Sequence, residues 1–225
     1  MVDLVAPSIV ERHFSGSTST GYVNTPSGGT SFASPAVAGI AGLVRNWQSS
    51  FGWSLQDDAR AIFANTLVLG DGYHGFSPAG KYTHTPAART GFGRVRAHWP
   101  STLSLGPYRS WNSWKRTISS GDVVYLTIGG NPQNPNKNGV KIATVYFDED
   151  FSNIADIKVE LVDTCPPSGG EITLRTASTN PLKKMIRSSN IANRCLAIKL
   201  TGLSVSSPQT VYIAAYTYSN SPEFH

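Results

Sequence analysis

Ser31 is the residue of this chain best placed to do chemistry. It stands in Gly29-Thr30-Ser31-Phe32-Ala33-Ser34-Pro35-Ala36-Val37-Ala38-Gly39. Before it, Ser27-Gly28-Gly29-Thr30 is a turn sequence, whose glycines reach backbone conformations closed to other residues. After it, Phe32 to Trp47 has helical character and almost no charge. Ser31 is therefore predicted at or near a helix N-terminus. Free N–H groups and the positive end of the helix dipole favour developing negative charge there. Acyl transfer needs this arrangement, a hydroxyl to attack and a backbone donor for the oxyanion.

The helix must position that serine. One that is apolar on every face is expected to be buried on every face. Ala33, Ala36, Ala38, Gly39, Ala41 and Gly42 keep it thin, so that a neighbour can pack close. Each glycine costs about 1 kcal/mol relative to alanine, which close packing is expected to offset. Pro35 is expected near the helix start, where a missing N–H does less damage.

The run from Gly29 to Gly39 matches, at every defined position, the motif around the nucleophilic serine of subtilisin-like serine proteases. A chance match has a probability on the order of one in tens of thousands from average residue usage. Upstream, Val2-Asp3-Leu4-Val5-Ala6-Pro7 resembles the strand and turn that precede the serine loop, with Ser8 where the family usually has glycine. Downstream, Ser54 to Leu67 reads as a helix: Ser54 as N-cap, Asp57 and Asp58 in the first turn, and Ala59, Ile62, Phe63 and Leu67 as its apolar face. It is similar to the family's next helix. Gly91-Phe92-Gly93-Arg94-Val95-Arg96-Ala97 resembles the glycine-rich segment that closes the catalytic domain. The resemblance implies that residues 1–100 are the C-terminal third of an α/β, parallel-sheet catalytic domain. It implies Ser31 as nucleophile and backbone oxyanion donor, Thr30 as auxiliary support, Gly29 in the substrate-binding cleft, and a peptide or protein substrate. The chemistry calls for no cofactor.

A serine nucleophile needs a general base, and the base an orienting acid. The family carries its Asp and His motifs, with an oxyanion-hole Asn between them, well before the serine. The thirty residues before Ser31 contain neither an Asp-Thr/Ser-Gly nor a His-Gly-Thr segment. His13 matches nothing in the family and reads as a surface or loop residue. Asp3 belongs to the strand before Ala6-Pro7. His74, His84 and His98 follow the serine, where the family has no triad histidine. The chain is thus expected to be the C-terminal portion of such a protease, inactive until joined to its missing N-terminal part. Most of the peptide-binding cleft and side-chain pocket would lie in that part, so substrate preference is not readable. A non-catalytic protein- or carbohydrate-binding module and a pseudo-protease are the alternatives.

The 225 residues make one large domain or two modest ones. Only 15% are charged, and Ser, Thr, Gly and Asn are abundant, which suits a secreted, loop-rich protein with β-structure. No signal peptide is recognisable, as expected for a C-terminal portion, and no apolar run is long enough to span a bilayer. The net charge of +5 is scattered, as in Lys115-Arg116 and Lys183-Lys184. It reads as solvated surface and gives no basis for nucleic-acid binding. Cys165 and Cys195 have no C-x-x-C pair or histidine cluster around them, so zinc is not implied. In an exported protein they read as one disulfide; two buried thiols are the alternative, because sequence does not set their distance.

After about residue 100 the pattern becomes β. Ser101 to Trp114 reads as a linker or first edge strand. Strands are predicted at Val123–Ile128, Val140–Phe147, Ile157–Val162, Glu171–Thr176, Cys195–Thr201 and Thr210–Tyr218, separated by Gly, Pro and Asn turns. Residues 101–225 are therefore expected to form an antiparallel, jelly-roll-like β-sandwich that folds independently. Many subtilisin-like proteases carry such a domain after the catalytic one. Asp148, Glu149, Asp150 and Asp156 gather oxygen ligands of the kind calcium takes, or are solvated loop acids. Asp71-Gly72 is a weaker candidate. Tyr108, Trp111, Trp114 and Tyr125 read as sandwich-core or domain-interface aromatics, with a carbohydrate-stacking surface as the alternative.

Overall fold

The computed structural model describes residues 6, 12–16, 19–23, 30–50, 59–70, 73–74, 81–82, 95, 110–128, 139–146, 155–177, 183–189 and 191–218. Short pieces come first: a hairpin of β1 (Arg12–Gly16) and β2 (Ser19–Val23), helix α1 (Thr30–Ser50), helix α2 (Ala59–Leu67), and the two-residue strands β3 (Tyr73–His74) and β4 (Lys81–Tyr82). Eight longer strands follow. They are β5 (Ser110–Ile118), β6 (Val123–Thr127), β7 (Gly139–Val145), β8 (Asp156–Asp163), β9 (Ile172–Thr176), β10 (Lys183–Ser189), β11 (Leu196–Ser204) and β12 (Gln209–Tyr218).

These eight form two four-stranded sheets, in the orders β10-β7-β12-β5 and β6-β11-β8-β9. Every pairing is antiparallel. Counted from β5, the sheets read 6-3-8-1 and 2-7-4-5, so the chain crosses between sheets at almost every connection. That is the jelly-roll form of a β-sandwich. All six expected strands are present. β10 lies beyond the Asn180-Pro181 turn and was not among them. β5 begins inside the stretch read as linker or edge strand, and it is an edge strand.

Alternation builds the core between the sheets. Ile157, Val159 and Leu161 of β8 meet Ile198 and Leu200 of β11, opposite Val140 and Ile142 of β7 and Val211, Ile213 and Ala215 of β12. Each of these side chains is buried, because every second residue of a strand points the same way. The β5–β6 turn closes against β11 by backbone alone. Gly121 donates to the Gly202 carbonyl (2.8 Å), and Gly202 donates to that of Asp122 (3.0 Å). A Cβ on Gly202 would lie 2.1 Å from the Ser119 carbonyl oxygen, so only glycine fits.

β7 and β12 are buried on both faces. Their other face forms a second core, in which Ala143, Val145, Tyr212, Ala214 and Tyr216 lie with Ala61, Ala64 and Leu67 of α2 and Val44 of α1. Segments on either side of residue 100 thus share one apolar cluster. The strand Val2–Ala6 and the parallel sheet it was assigned to lie outside the described residues, apart from Ala6 itself, which packs against this second core.

The helices differ from expectation in which faces they bury. Within Ser54–Leu67, residues 54–58 lie outside the described residues. The face of α2 turned inward is Ala61, Ala64 and Leu67, while Ile62 and Phe63 are half-buried and Ala59 is exposed. α1 is not covered all round. One stripe, Val37, Ile40, Val44 and Trp47, packs toward the second core. Ala36, Ala38, Gly39, Gly42 and Leu43 are exposed. A Cβ at Gly39 or Gly42 would meet nothing within 4 Å. Among the described residues, then, no close packing offsets the cost of these glycines.

Candidate functional site

Ser31 is the second residue of α1 and is exposed to solvent. Thr30 opens the helix, and Gly29 lies outside the described residues. The Ser31 N–H falls in the first turn, where backbone donors have no intrahelical acceptor. No acidic residue sits in that turn to compete for them. Pro35 is deeper than expected, the sixth helical residue. Its missing N–H is the one that would bond the Ser31 carbonyl, and its ring crowds that carbonyl. The first turn is thereby left less tightly bonded around Ser31. An exposed hydroxyl and the positive end of the helix dipole stand together.

None of the chain's histidines is among the residues whose side chains the structure describes. His13 pairs by backbone with Tyr22 in the β1–β2 hairpin, and His74 with Lys81 in β3–β4. Asp3, His84 and His98 lie outside the described residues. Of Gly91–Ala97, Val95 is described. It is buried and bridges to Gly70 just beyond α2, which ties that segment to the helix pair.

The seam between helix and sheet holds polar groups that sequence reasoning did not single out. Asn65 is fully buried. Its Nδ2 donates to the Ala61 carbonyl (2.8 Å) and to Ser113 Oγ (2.9 Å), and its Oδ1 accepts from Trp111 Nε1 (2.6 Å). Lys141, also buried, donates from Nζ to the Gly70 carbonyl (3.0 Å). The Arg60 guanidinium and the Lys115 ammonium each lie 5.3 Å from the centre of the Tyr212 ring. Trp111 meets Tyr216 edge to face at 5.9 Å. Trp111 and Trp114 are thus core and seam aromatics; Tyr108 lies outside the described residues. The only early signal for Asn65 was a polar residue within an apolar helical stretch.

Cys165 and Cys195 are joined, with Cα atoms 5.5 Å apart. The bond ties the end of β8 to the start of β11. Asp163 organises the join from a buried position. Its Oδ1 accepts from the N–H of Cys165 and of Cys195, each at 3.2 Å, and its Oδ2 meets Arg194 Nη1 at 3.2 Å.

Lys184 was read as solvated surface and is instead buried. It faces the core between the sheets and donates to the Ile157 carbonyl across the gap. Burial lowers its pKa, with Asp156 opposing that shift. The Tyr146 ring lies 5.9 Å away. The Tyr146 hydroxyl is buried with no hydrogen-bond partner among the described residues, and its pKa is pushed up by burial first and by Asp156 second. Asp156 opens β8 and is exposed; Asp148, Glu149, Asp150 and Asp71 lie outside the described residues. No cluster of three metal-ligating side chains occurs among the described residues.

The outer face of the β6-β11-β8-β9 sheet is exposed along β6 and β9, while Glu160, Val162 and Ala197 on its central strands are buried. Tyr125 is 47% exposed there. Lys199 lies 5.5 Å from its ring centre and donates to Glu171 at 2.7 Å. Hydrogen bonds with Lys199 and Tyr125 hold the Glu171 carboxyl below its ordinary pKa and, reciprocally, raise that of Lys199. Glu160 accepts from Lys158 (2.8 Å) and Thr176 (3.4 Å) on the same face.

Fold and join together define the class: a disulfide-tied jelly-roll sandwich with one outer face closed by helices. No described helix is long and apolar enough to cross a membrane. No protein-family model and no curated protein matches the sequence. Among solved structures, a mitogen from Yersinia pseudotuberculosis is similar at 12% identity with a TM-score of 0.38, over 50% of this chain and 88% of that one. A tailspike protein of Acinetobacter baumannii bacteriophage Fri1, a capsular polysaccharide depolymerase, is similar at 15% identity and a TM-score of 0.26, over 54% of this chain and 19% of that one. IMPa from Pseudomonas aeruginosa, solved with an O-glycopeptide, follows at 12% identity and 0.25, over 89% of this chain and 25% of that one. None of the three is subtilisin-like.

Proposed function

We propose that this chain is the reactive-serine portion of a secreted, subtilisin-like serine endopeptidase that cleaves peptide bonds through an acyl-enzyme on Ser31. The carrying observation is the Gly29–Gly39 sequence with Ser31 exposed in the first turn of α1. In this reading the Ser31 hydroxyl attacks the scissile carbonyl, and its own N–H receives the oxyanion with help from Thr30. Gly29 leaves room for the substrate backbone. Histidine and aspartate come from a segment bearing the family's two other motifs, which this sequence does not contain. Without them the hydroxyl attacks amides negligibly. The disulfide supports an exported protein.

A fluorophosphonate probe tests the first half: the isolated chain stays unlabelled, and fast labelling at Ser31 would mean that these residues supply a base. The second half is tested by Ser31→Ala in a protein extended upstream to include the two motifs. Turnover of casein is lost while folding is retained; continued hydrolysis overturns the assignment.

A second reading is a non-catalytic module, or pseudo-protease, whose sandwich binds protein or carbohydrate. The exposed Tyr125 beside Lys199 and Glu171 favours it, since an aromatic face ringed by polar groups suits a sugar. Sequence upstream of Met1 separates the two readings: an in-frame Asp-Thr/Ser-Gly and His-Gly-Thr pair supports the enzyme, and its absence the module.

A further inference from the structure

Among the described residues the sandwich has four edge strands, β10 and β5 in one sheet and β6 and β9 in the other. An edge presents unpaired N–H and C=O groups and recruits another strand unless charge, proline or a bulge blunts it. β10 carries Lys183, Lys184 and Arg187, and β5 carries Lys115 and Arg116. β9 carries Arg175 and pairs with β8 through a register shift. β6, Val123-Val124-Tyr125-Leu126-Thr127, has none of these devices, and its register with β11 is regular. Its residues are strong strand formers.

The ladder fixes which groups of β6 are free. Ile128 donates to the Leu196 carbonyl, and Gly202 donates to that of Asp122. Antiparallel bonding alternates along a strand. Val124 and Leu126 therefore bond inward to β11, and the N–H and C=O of Val123, Tyr125 and Thr127 point to the free edge. The same three side chains lie on the open face and are exposed.

We propose that β6 pairs antiparallel with β6 of a second copy of this chain, about a two-fold axis through Tyr125, so that two four-stranded sheets become one of eight. In that register Tyr125 faces Tyr125 of the second copy, Val123 faces Thr127, and Val124 faces Leu126. Edge-facing residues meet edge-facing residues, as the hydrogen bonds require. Aromatic and β-branched cross-strand pairs are favourable, and no like charges oppose one another. Lys199, the β11 neighbour of Tyr125, is already neutralised by Glu171. An uncharged strand whose bonding phase is symmetric about its middle residue matches itself, and a two-fold dimer is the commonest closed assembly.

Sedimentation velocity of the 225-residue chain, alongside V123K/T127K and V123K/T127E, tests the register. The unmodified chain shows a concentration-dependent dimer between about 1 μM and 1 mM. V123K/T127K sets introduced lysines opposite one another twice and weakens the dimer at least about tenfold. V123K/T127E sets lysine opposite glutamate twice and restores association to within about threefold of the unmodified chain. Matching circular dichroism and melting across the three proteins show that the sandwich is kept. A monomeric unmodified chain, an undiminished V123K/T127K dimer, or V123K/T127E as weak as V123K/T127K each overturns the proposal. Capture of an extended uncharged peptide by a chain that stays monomeric would assign the edge to a foreign strand, and would likewise overturn it.

Discussion

The two sheets have the same strand count and opposite outer faces. On β10-β7-β12-β5 that face carries Ala143, Val145, Tyr212, Ala214 and Tyr216 beneath α2. On β6-β11-β8-β9 it carries Tyr125, Lys199, Thr201, Lys158 and Glu160. The second sheet has a more polar outer face, although Glu160, Val162 and Ala197 on that face are also buried. The first is apolar on both sides at its centre, as a sheet must be when something covers each face. Small residues on both partners, Ala143 and Ala214 on the sheet and Ala61 and Ala64 on the helix, let α2 lie close. The lesson is that the helical segment is part of what the sandwich is built to bury.

The sharpest way to break that comparison is to place the same charge on each face. Ala214→Asp puts a carboxylate at a fully buried position beneath α2 and costs about 4 kcal/mol, or prevents folding. Thr201→Asp on the open face changes stability by no more than about 0.5 kcal/mol. Urea denaturation of both variants reads the difference. Equal, small losses would show that the helices do not close the first sheet.

The next largest effect concerns how the open sheet holds together without a helical cover. Its strands β8 and β11 are tied by the disulfide, which closes a separation of 30 residues. Removing it with Cys195→Ser costs about 3 to 4 kcal/mol in the loop-entropy account. The Asp163 carboxylate still receives both backbone N–H groups after that change, so the join is weakened but its polar groups stay paired. Mass spectrometry of the non-reduced protein verifies the bond. A melting temperature unmoved by Cys195→Ser would mean that Asp163 and the β8–β11 ladder suffice.

Asn65→Ala tests the seam from the polar side. It leaves Trp111 Nε1 and Ser113 Oγ without their Asn65 partner in a buried place, at a cost of about 2 kcal/mol. Amide exchange should then rise in α2 and β5 together while β8 and β11 stay protected. Faster exchange in β8 and β11 to the same degree would make the two faces one cooperative unit and erase the contrast.

What was legible follows from period and punctuation. β8, β11 and β12 alternate or run apolar between Gly, Pro and Asn turns, and they are found where alternation puts them. β10 was not, because Lys183-Lys184-Met185-Ile186-Arg187-Ser188-Ser189 is rich in charge, and sequence does not show that Lys184 spends its amine on the Ile157 carbonyl. The Ser31 position at a helix start was readable from glycines followed by an uncharged small-residue run. Which face of that helix is covered was not, because an uncharged helix offers no polar stripe to mark its outside. Asn65 and Lys141 were invisible as seam residues. Their roles depend on partners 48 and 71 positions away in the chain.

The smallest effect addresses α1, which packs one stripe on the closed side and leaves its other side exposed. Its Val37–Trp47 stripe reaches the second core, yet Gly42 stands in open space. Gly42→Ala then gains helix propensity and meets no obstacle. It stabilises the chain by about 1 kcal/mol, a rise of about 2 to 4 °C in melting temperature for a chain of this size. Under the protease reading the same helix carries Ser31, and its bare face is where a neighbouring segment would come close. The expected sign therefore reverses in a protein that includes such a segment, where an added Cβ must displace atoms in contact. Calorimetry on the 225-residue chain and on an upstream-extended protein, each with and without Gly42→Ala, measures both signs. Stabilisation in both would leave the outer side of α1 exposed to water in the longer protein too. A loss in the short chain would mean that this face is already occupied.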